Sequence, residues 1–250
     1  MCEGKGLQLI CLELDTPSSV IADRFEKKYP IQRFSIPKKH IVGRDRLAEI
    51  VEGALPDEIK DNGKRTLTLY GHNEFHHYTY GLCRALVERR SEHYSYIHID
   101  NHHDEGYGDP YKYAGMIGCG KFVKELSRYA KGGVLSIGSY FSYHNSINPI
   151  GMWLWPRWRL NHILPKLAED VYLSIDLDVM SEEEASTGYN SGSLSKWKLL
   201  SIVKMIREQK NIIAADINGF NLEESESVLA KKTLDLYESV AEEMFSLHFG

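Results

Sequence analysis

Seven short apolar runs recur along this chain, and stretches with helical spacing separate most of them. The runs are Leu7–Leu14, Ile31–Ile36, Thr66–Tyr70, Tyr94–Asp100, Gly133–Gly138, Val171–Asp176 and Asn211–Ile217. The helical stretches are Ser18–Lys28, Arg44–Ala54, His76–Arg90, Lys121–Ala130, Asn161–Ala168, Ser195–Gln209 and Glu223–Ser246. The last is the most regular: Val228, Leu229, Leu234, Leu236, Val240 and Phe245 recur at helical spacing among Lys and Glu. Strands that alternate with helices pair mostly in parallel, and the helices then cover both faces of the sheet. The expected fold class is therefore α/β. A length of 250 residues suits one large domain of this kind, and no linker, repeat or low-complexity segment marks a second. A single domain over residues 1–250 is expected.

Composition excludes some functions. A formal charge of −5 argues against a general nucleic-acid binder or an anionic-membrane binder. No stretch approaches the roughly 20 apolar residues of a membrane span. Gln8 and Glu13 interrupt the first apolar run, so it reads as a strand and not as the core of a signal peptide. The four cysteines, Cys2, Cys11, Cys83 and Cys119, contain no C-x-x-C pair. Reduced thiols in a cytoplasmic protein are expected.

Two of the apolar runs end in acid. Tyr94–Ile99 leads into Asp100-Asn101-His102-His103-Asp104, and Val171–Ile175 leads into Asp176-Leu177-Asp178. Open α/β sheets bind ligands at strand C-termini. Carboxylates gathered there repel one another unless cations hold them. Residues two apart on an extended chain share a face, so Asp100, His102 and Asp104 can point together, as can Asp176 and Asp178. A lone Asp-x-Asp often only caps the next helix; two such motifs after strands of one sheet point to a metal centre. Carboxylate and imidazole donors suit Mn²⁺, with Zn²⁺, Fe²⁺ or Co²⁺ also possible, and the lack of a thiolate disfavours a structural zinc site. Two metals per chain would lower the pKa of a shared water and present hydroxide to an electrophile. Asp104 could then move the proton.

These segments resemble the arginase/agmatinase (ureohydrolase) family. The first acidic motif is similar to that family's Asp-Ala-His-x-Asp, and Ser174-Ile175-Asp176-Leu177-Asp178 to its Ser-x-Asp-x-Asp. Thr187-Gly188 with Gly192-Ser193-Leu194-Ser195 resembles its Thr-Gly and Gly-Gly-Leu-Thr segment, and Asp216–Asn221 its late Asp-x-x-Glu-x-Asn-Pro motif. Tyr70-Gly71-His72-Asn73 stands where Gly-Gly-Asp-His belongs. The resemblance implies a three-layer αβα sandwich, a binuclear manganese site and a small-molecule substrate, and it allows a homo-oligomer. It implies that Asp100 and Asp176 bridge the metals, that Asp104 completes one site, and that His102 with Asp178 completes the other. His72 is taken as the first histidine ligand, displaced by one place because Asn73 aligns with the family's His. His76 and His77 are weaker candidates.

The sequence also departs from the family. The late Glu that grips a guanidinium aligns with Gly219, and Glu223 and Glu224 are off register. The proton-transfer His has no counterpart between Tyr107 and Gly120; His103, Glu105 and His144 are possible substitutes. A guanidinium needs a carboxylate partner, and removing one from a buried cation site costs about 3–5 kcal/mol. The expected activity is therefore hydrolysis of a non-peptide C–N bond in an amidine- or amide-like small molecule other than arginine or agmatine. A deacetylase-like single-metal hydrolase and a metal-binding relic with a ligand- or partner-binding role are the alternatives. Two long loops, Tyr107–Gly120 and Tyr140–Arg159 with Trp153, Trp155 and Trp158, are expected to wall a pocket or pack onto the body.

Overall fold

The computed structural model describes residues 6–106, 115–138, 157–189, 191–222 and 228–245, the side chains of 157–159 excepted. The strands are β1 (Leu7–Glu13), β2 (Ile31–Ser35), β3 (Val42–Gly43), β4 (Arg65–Leu69), β5 (Ser95–Ile99), β6 (Met116–Ile117), β7 (Val134–Ile137), β8 (Asp170–Asp176) and β9 (Asn211–Asn218). Seven of them form one sheet in the order β2-β1-β4-β9-β8-β5-β7. Every neighbouring pair in it is parallel. Each of the seven apolar runs is one of these strands. The remaining pair, β3 with β6, is antiparallel and only two residues long, too short to leave a periodic signal.

The helices are α1 (Thr16–Glu26), α2 (Arg44–Ala54), α3 (Asp57–Lys60), α4 (Tyr78–Leu86), α5 (Val123–Leu126), α6 (Arg157–Ile163), α7 (Lys196–Gln209) and α8 (Val228–Phe245). Strand alternation sorts them into two layers. Ile97, Ile99, Leu173 and Ile175 pack with Ile21, Leu160, Leu199 and Leu236 of α1, α6, α7 and α8. Tyr96 and Tyr172 pack on the opposite face with Leu47, Ile59, Leu82 and Leu126 of α2, α3, α4 and α5. The result is the three-layer αβα sandwich. None of the described helices is long and apolar enough to cross a membrane.

One feature of the sheet positions the site. Thr68, Asp216, Ser174, His98 and Ser136 lie in register across five adjacent strands. All are buried. Their strand neighbours at odd steps belong to the α1/α8 core, so this polar row faces α4. One step further along the same face stand Asp100, Asp176 and Asn218.

The expected helix at 76–90 begins later, as α4 at Tyr78, because a 3₁₀ turn over Asn73–Phe75 precedes it. Most of the two long loops, with Trp153 and Trp155 and the side chain of Trp158, lies outside the described residues, as does Cys2. Cys11 and Cys83 are buried free thiols.

Candidate metal centre

The C-terminal ends of β4, β9, β8 and β5 converge on one patch, and each delivers its side chains through a short turn. After β8, Asp176 Oδ1 accepts from the Asp178 amide at 3.0 Å and caps a 3₁₀ turn over Leu177–Val179. That turn folds Asp178 back over the strand end. After β5 the chain does not continue extended. Asp104 adopts the left-handed conformation with φ +49°, which Asp tolerates better than most residues. Its carbonyl accepts from the amides of Phe122 and Val123 at 3.0 and 3.2 Å, which anchors the reversal. The Asp104 carboxylate thereby returns toward Asp100.

His76 stands at the centre. Its Nδ1 lies 3.0, 3.2 and 3.3 Å from carboxylate oxygens of Asp100, Asp104 and Asp176. None of these contacts has hydrogen-bond geometry, and Nδ1 is a buried polar atom without a partner. The other ring nitrogen explains why. His76 Nε2 is 2.9 Å from Ser174 Oγ, and Ser174 donates its only proton to Asp216 Oδ1 at 2.8 Å. Thr79 and Tyr172 donate to Asp216 Oδ2 at 2.8 and 2.5 Å. Ser174 therefore accepts from His76 Nε2–H, and Nδ1 faces three carboxylates. Burial opposes a charge on the ring, but Asp100, Asp104 and Asp176 raise its pKa well above the ordinary value. The site thus calls for positive charge there, as a proton on Nδ1 or as a cation on its lone pair. A lone pair aimed at anions repels them, whereas a cation among these atoms attracts them all. A buried acceptor with no donor would otherwise cost about 1–3 kcal/mol.

Among the described residues, two groups each bring their donor atoms within 4.8 Å of one another: His76, His98, Asp100 and Asp104; and Asp100, His102 and Asp178. Asp100 belongs to both. His98 Nε2 lies 2.7 Å from Asp100 Oδ2, and His102 Nδ1 lies 2.8 Å from Asp178 Oδ2. Nitrogen and carboxylate donors without thiolate fit first-row divalent metals. The electrostatics express the same demand for positive charge. Burial and the charges of Asp176 and Asp100 raise the Asp178 pKa well above the carboxylate range. Burial and Asp100 raise that of Asp104 to about 6. Burial opposes ionisation of Asp100 too, but His98, His102 and His76 together hold its carboxyl well below the usual range. Hydrogen bonds to Asp100 and Asp178 lift His102 to about 11.

Of the sequence-predicted residues, the structure brings together Asp100, His102, Asp104, Asp176 and Asp178. His72 is not among them. Its amide donates to Asp15 Oδ2 at 2.9 Å, its Nδ1 accepts from the Glu74 amide at 3.2 Å, and its ring meets Tyr189 edge-on at 6.1 Å. The 3₁₀ turn carries the chain onward so that His76 reaches the acids instead. His77 points away, to the Lys39 carbonyl at 2.7 Å, and burial lowers its pKa to about 3. His98 was missed by sequence reasoning, although its two-residue offset from Asp100 on one strand is a legible signal. His103 lines the cavity, accepts from the Glu105 amide at 3.3 Å and is held below its usual pKa chiefly by burial. Glu105 pairs as an isolated bridge with Lys121. His144, Glu223 and Glu224 lie outside the described residues.

Above the cluster opens a cavity of about 350 Å³, whose further lining includes Asn73, Cys119, Gly120 and Tyr189. Gly219 lies beneath it with φ +108°; a Cβ there would come within 2.6 Å of Asp176 Oδ1 and 2.7 Å of the Leu177 amide nitrogen. Only glycine fits that backbone and that spacing.

The model of the Arginase family matches residues 40–245. Solved structures share the fold at low identity. Arginase from Bacillus cereus superposes with a TM-score of 0.71 at 17% identity, covering 98% of this chain and 100% of that one. Proclavaminate amidino hydrolase from Streptomyces clavuligerus gives 0.69 at 14%, covering 97% and 91%. Formimidoylglutamase from Bacillus subtilis gives 0.65 at 16%, covering 98% and 88%. No curated protein matches the chain in sequence.

Proposed function

We propose, from the premise that the chain belongs to the arginase family, that it hydrolyses a non-peptide C–N bond in a small molecule with the help of two divalent metal ions, Mn²⁺ foremost. The observation that carries this reading is the unpartnered His76 Nδ1 among Asp100, Asp104 and Asp176. His76 and Asp104 would hold one ion, His102 and Asp178 the other, with Asp100 and Asp176 shared. Bound there, such ions polarise a water and lower its pKa toward neutrality. The carboxylate of Asp104, through the oxygen not held by an ion, would accept a proton from the water and pass it to the leaving nitrogen. The Asp216–Ser174 pair keeps His76 in the tautomer whose free nitrogen faces the acids.

Arginine and agmatine are poor fits. Two divalent ions balance the four carboxylates of Asp100, Asp104, Asp176 and Asp178, and no other carboxylate lines the cavity among the described residues. Gly219 supplies none either. Among the described residues a buried guanidinium finds no carboxylate partner beyond those four. The free, buried thiols of Cys11 and Cys83 support a reducing, cytoplasmic setting.

The test is metal analysis of purified protein followed by a screen of the manganese-loaded form. Guanidino, formimino, ureido and amide compounds are assayed for release of ammonia or urea. Two metals per chain with turnover of a neutral compound is the expected result. Unchanged metal content in Asp100→Ala and Asp176→Ala would remove the site. One zinc per chain would favour a deacetylase-like enzyme, and silence across the panel with metals bound would favour a binding role.

A further inference from the structure

We infer that Tyr189 is a specificity-determining residue: its ring receives the unreacting part of the substrate, and that part is a short apolar group. The inference rests on the metal-dependent reading above and specifies what that site recognises. Tyr189 lines the same cavity as His76, Asp100, His102 and Asp176, and it keeps 41% of its surface exposed. Two neighbouring rings hold it in place. His72 meets it edge-on at 6.1 Å between centroids, and His102 does so at 6.0 Å. The backbone around it is pinned as well. A Cβ at Gly188 would strike the His72 imidazole, and Thr187 Oγ1 donates to the Tyr189 carbonyl at 3.3 Å. His72 is itself fixed, because its Nδ1 accepts from the Glu74 amide at 3.2 Å.

The Tyr189 hydroxyl lies 3.6 Å from Sγ of Cys119, which stands with Gly120 in the turn after β6. Both of these residues line the cavity too. A phenol ring, a thiol and a glycine make an uncharged wall, in contrast to the four carboxylates. Small-molecule pockets combine a few charged groups, which fix the reacting end, with aromatic surface that takes up the rest. A cavity of about 350 Å³ is small, so an occupant whose scissile bond sits at the acids has its remainder against Tyr189. An aromatic ring gains from covering apolar surface. A carboxylate pressed against it loses hydration without gaining a partner. An ammonium is repelled by two divalent ions that already balance the acids. The substrate is thus an amide-type molecule with a short apolar tail.

Hydroxamates, which chelate metals and carry tails of choice, are the probes. Acetohydroxamate has almost no tail, and isocaprohydroxamate ends in an isopropyl group. Succinic monohydroxamate and β-alanine hydroxamate put a carboxylate or an ammonium in place of that group. All four are titrated calorimetrically into the manganese-loaded wild type, Tyr189→Ala and Tyr189→Phe, and bound manganese is counted in each by mass spectrometry. The wild type should bind isocaprohydroxamate about tenfold more tightly than acetohydroxamate, the worth of a partly covered tail. Tyr189→Phe should keep that gain, Tyr189→Ala should lose it, and both should keep their manganese. A wild type that gains nothing from the tail, or an alanine variant that retains the gain, would overturn the role of Tyr189 while leaving the metal centre standing. Loss of the gain in Tyr189→Phe would assign it to the hydroxyl and overturn the role of the ring. A charged analogue that binds the wild type more tightly than isocaprohydroxamate would overturn the apolar assignment. Loss of manganese from Tyr189→Ala would mean that the ring supports His102 and not the substrate, which also overturns the inference. A wild type that binds no manganese would sink the metal-dependent reading itself, and this inference with it.

Discussion

Ser174 and Asp216 stand in register on adjacent strands, and the Ser174 hydroxyl donates to Asp216 Oδ1 at 2.8 Å. This pair decides which nitrogen of His76 carries its proton. Removing either partner frees the ring to rotate or to switch tautomer. Ser174→Ala and Asp216→Asn should each weaken Mn²⁺ binding by about 10–100-fold. Calorimetric titration of metal into the chelator-treated proteins measures this. Unaltered affinity in Ser174→Ala would mean that something else holds the ring.

His76 and His72 separate cleanly by substitution. His76→Ala removes a nitrogen that lies within 3.3 Å of three carboxylates and should cost the protein at least one metal per chain. His72→Ala touches a cap on a 3₁₀ turn and should leave metal content intact. Mass spectrometric metal counting on the two variants distinguishes them, and the reverse pattern would return the ligand role to His72.

Protons compete with metal at Asp104 and Asp178, whose pKa values are raised by burial and by neighbouring acids. Mn²⁺ affinity should therefore fall as pH drops through about 6. Without metal the sign reverses for Asp104. Its folded pKa of about 6 lies above the ordinary value of 3.8, so its contribution to stability is full below 3.8 and is lost as pH rises through about 6. The gap in melting temperature between manganese-loaded and metal-free protein should widen from pH 5.5 to pH 7.5. Thermal unfolding at the two pH values checks it.

Metal removal should also be visible at a single pH. A ligand at 100 times its Kd stabilises the folded state by about 2.7 kcal/mol. For a domain of this size that corresponds to roughly 5–10 °C in Tm. Chelator at pH 7.5 should lower the melting temperature by that order, and added Mn²⁺ should restore it.

The sheet was legible because buried parallel strands leave unmistakable apolar runs, and all seven were found where their runs lie. The acids were legible because Asp100 and Asp176 close two of those runs. The first histidine was not. Motif spacing drew attention to His72 and Asn73, but the 3₁₀ turn over Asn73–Phe75 separates His72 from the side chain that reaches the acids. A short irregular turn has no periodicity to read. The polar row from Thr68 to Ser136 was also hidden. Each member is a single polar residue in an apolar strand, and only strand order reveals that they align. Asp104 reached its expected neighbours by a route other than the extended one, through a left-handed reversal that no residue count foretells.

Gly219 limits which side chains the floor of the cluster can accept. Its backbone lies in a region that disfavours side chains, and any Cβ would strike Asp176 Oδ1 and the Leu177 amide. A mutation of its codon to glutamate would damage the cluster before it could serve a new substrate. A side chain at this position would need the loop around Asp176 to shift first, so the tight packing at Gly219 and the placement of the Asp176 carboxylate depend on each other.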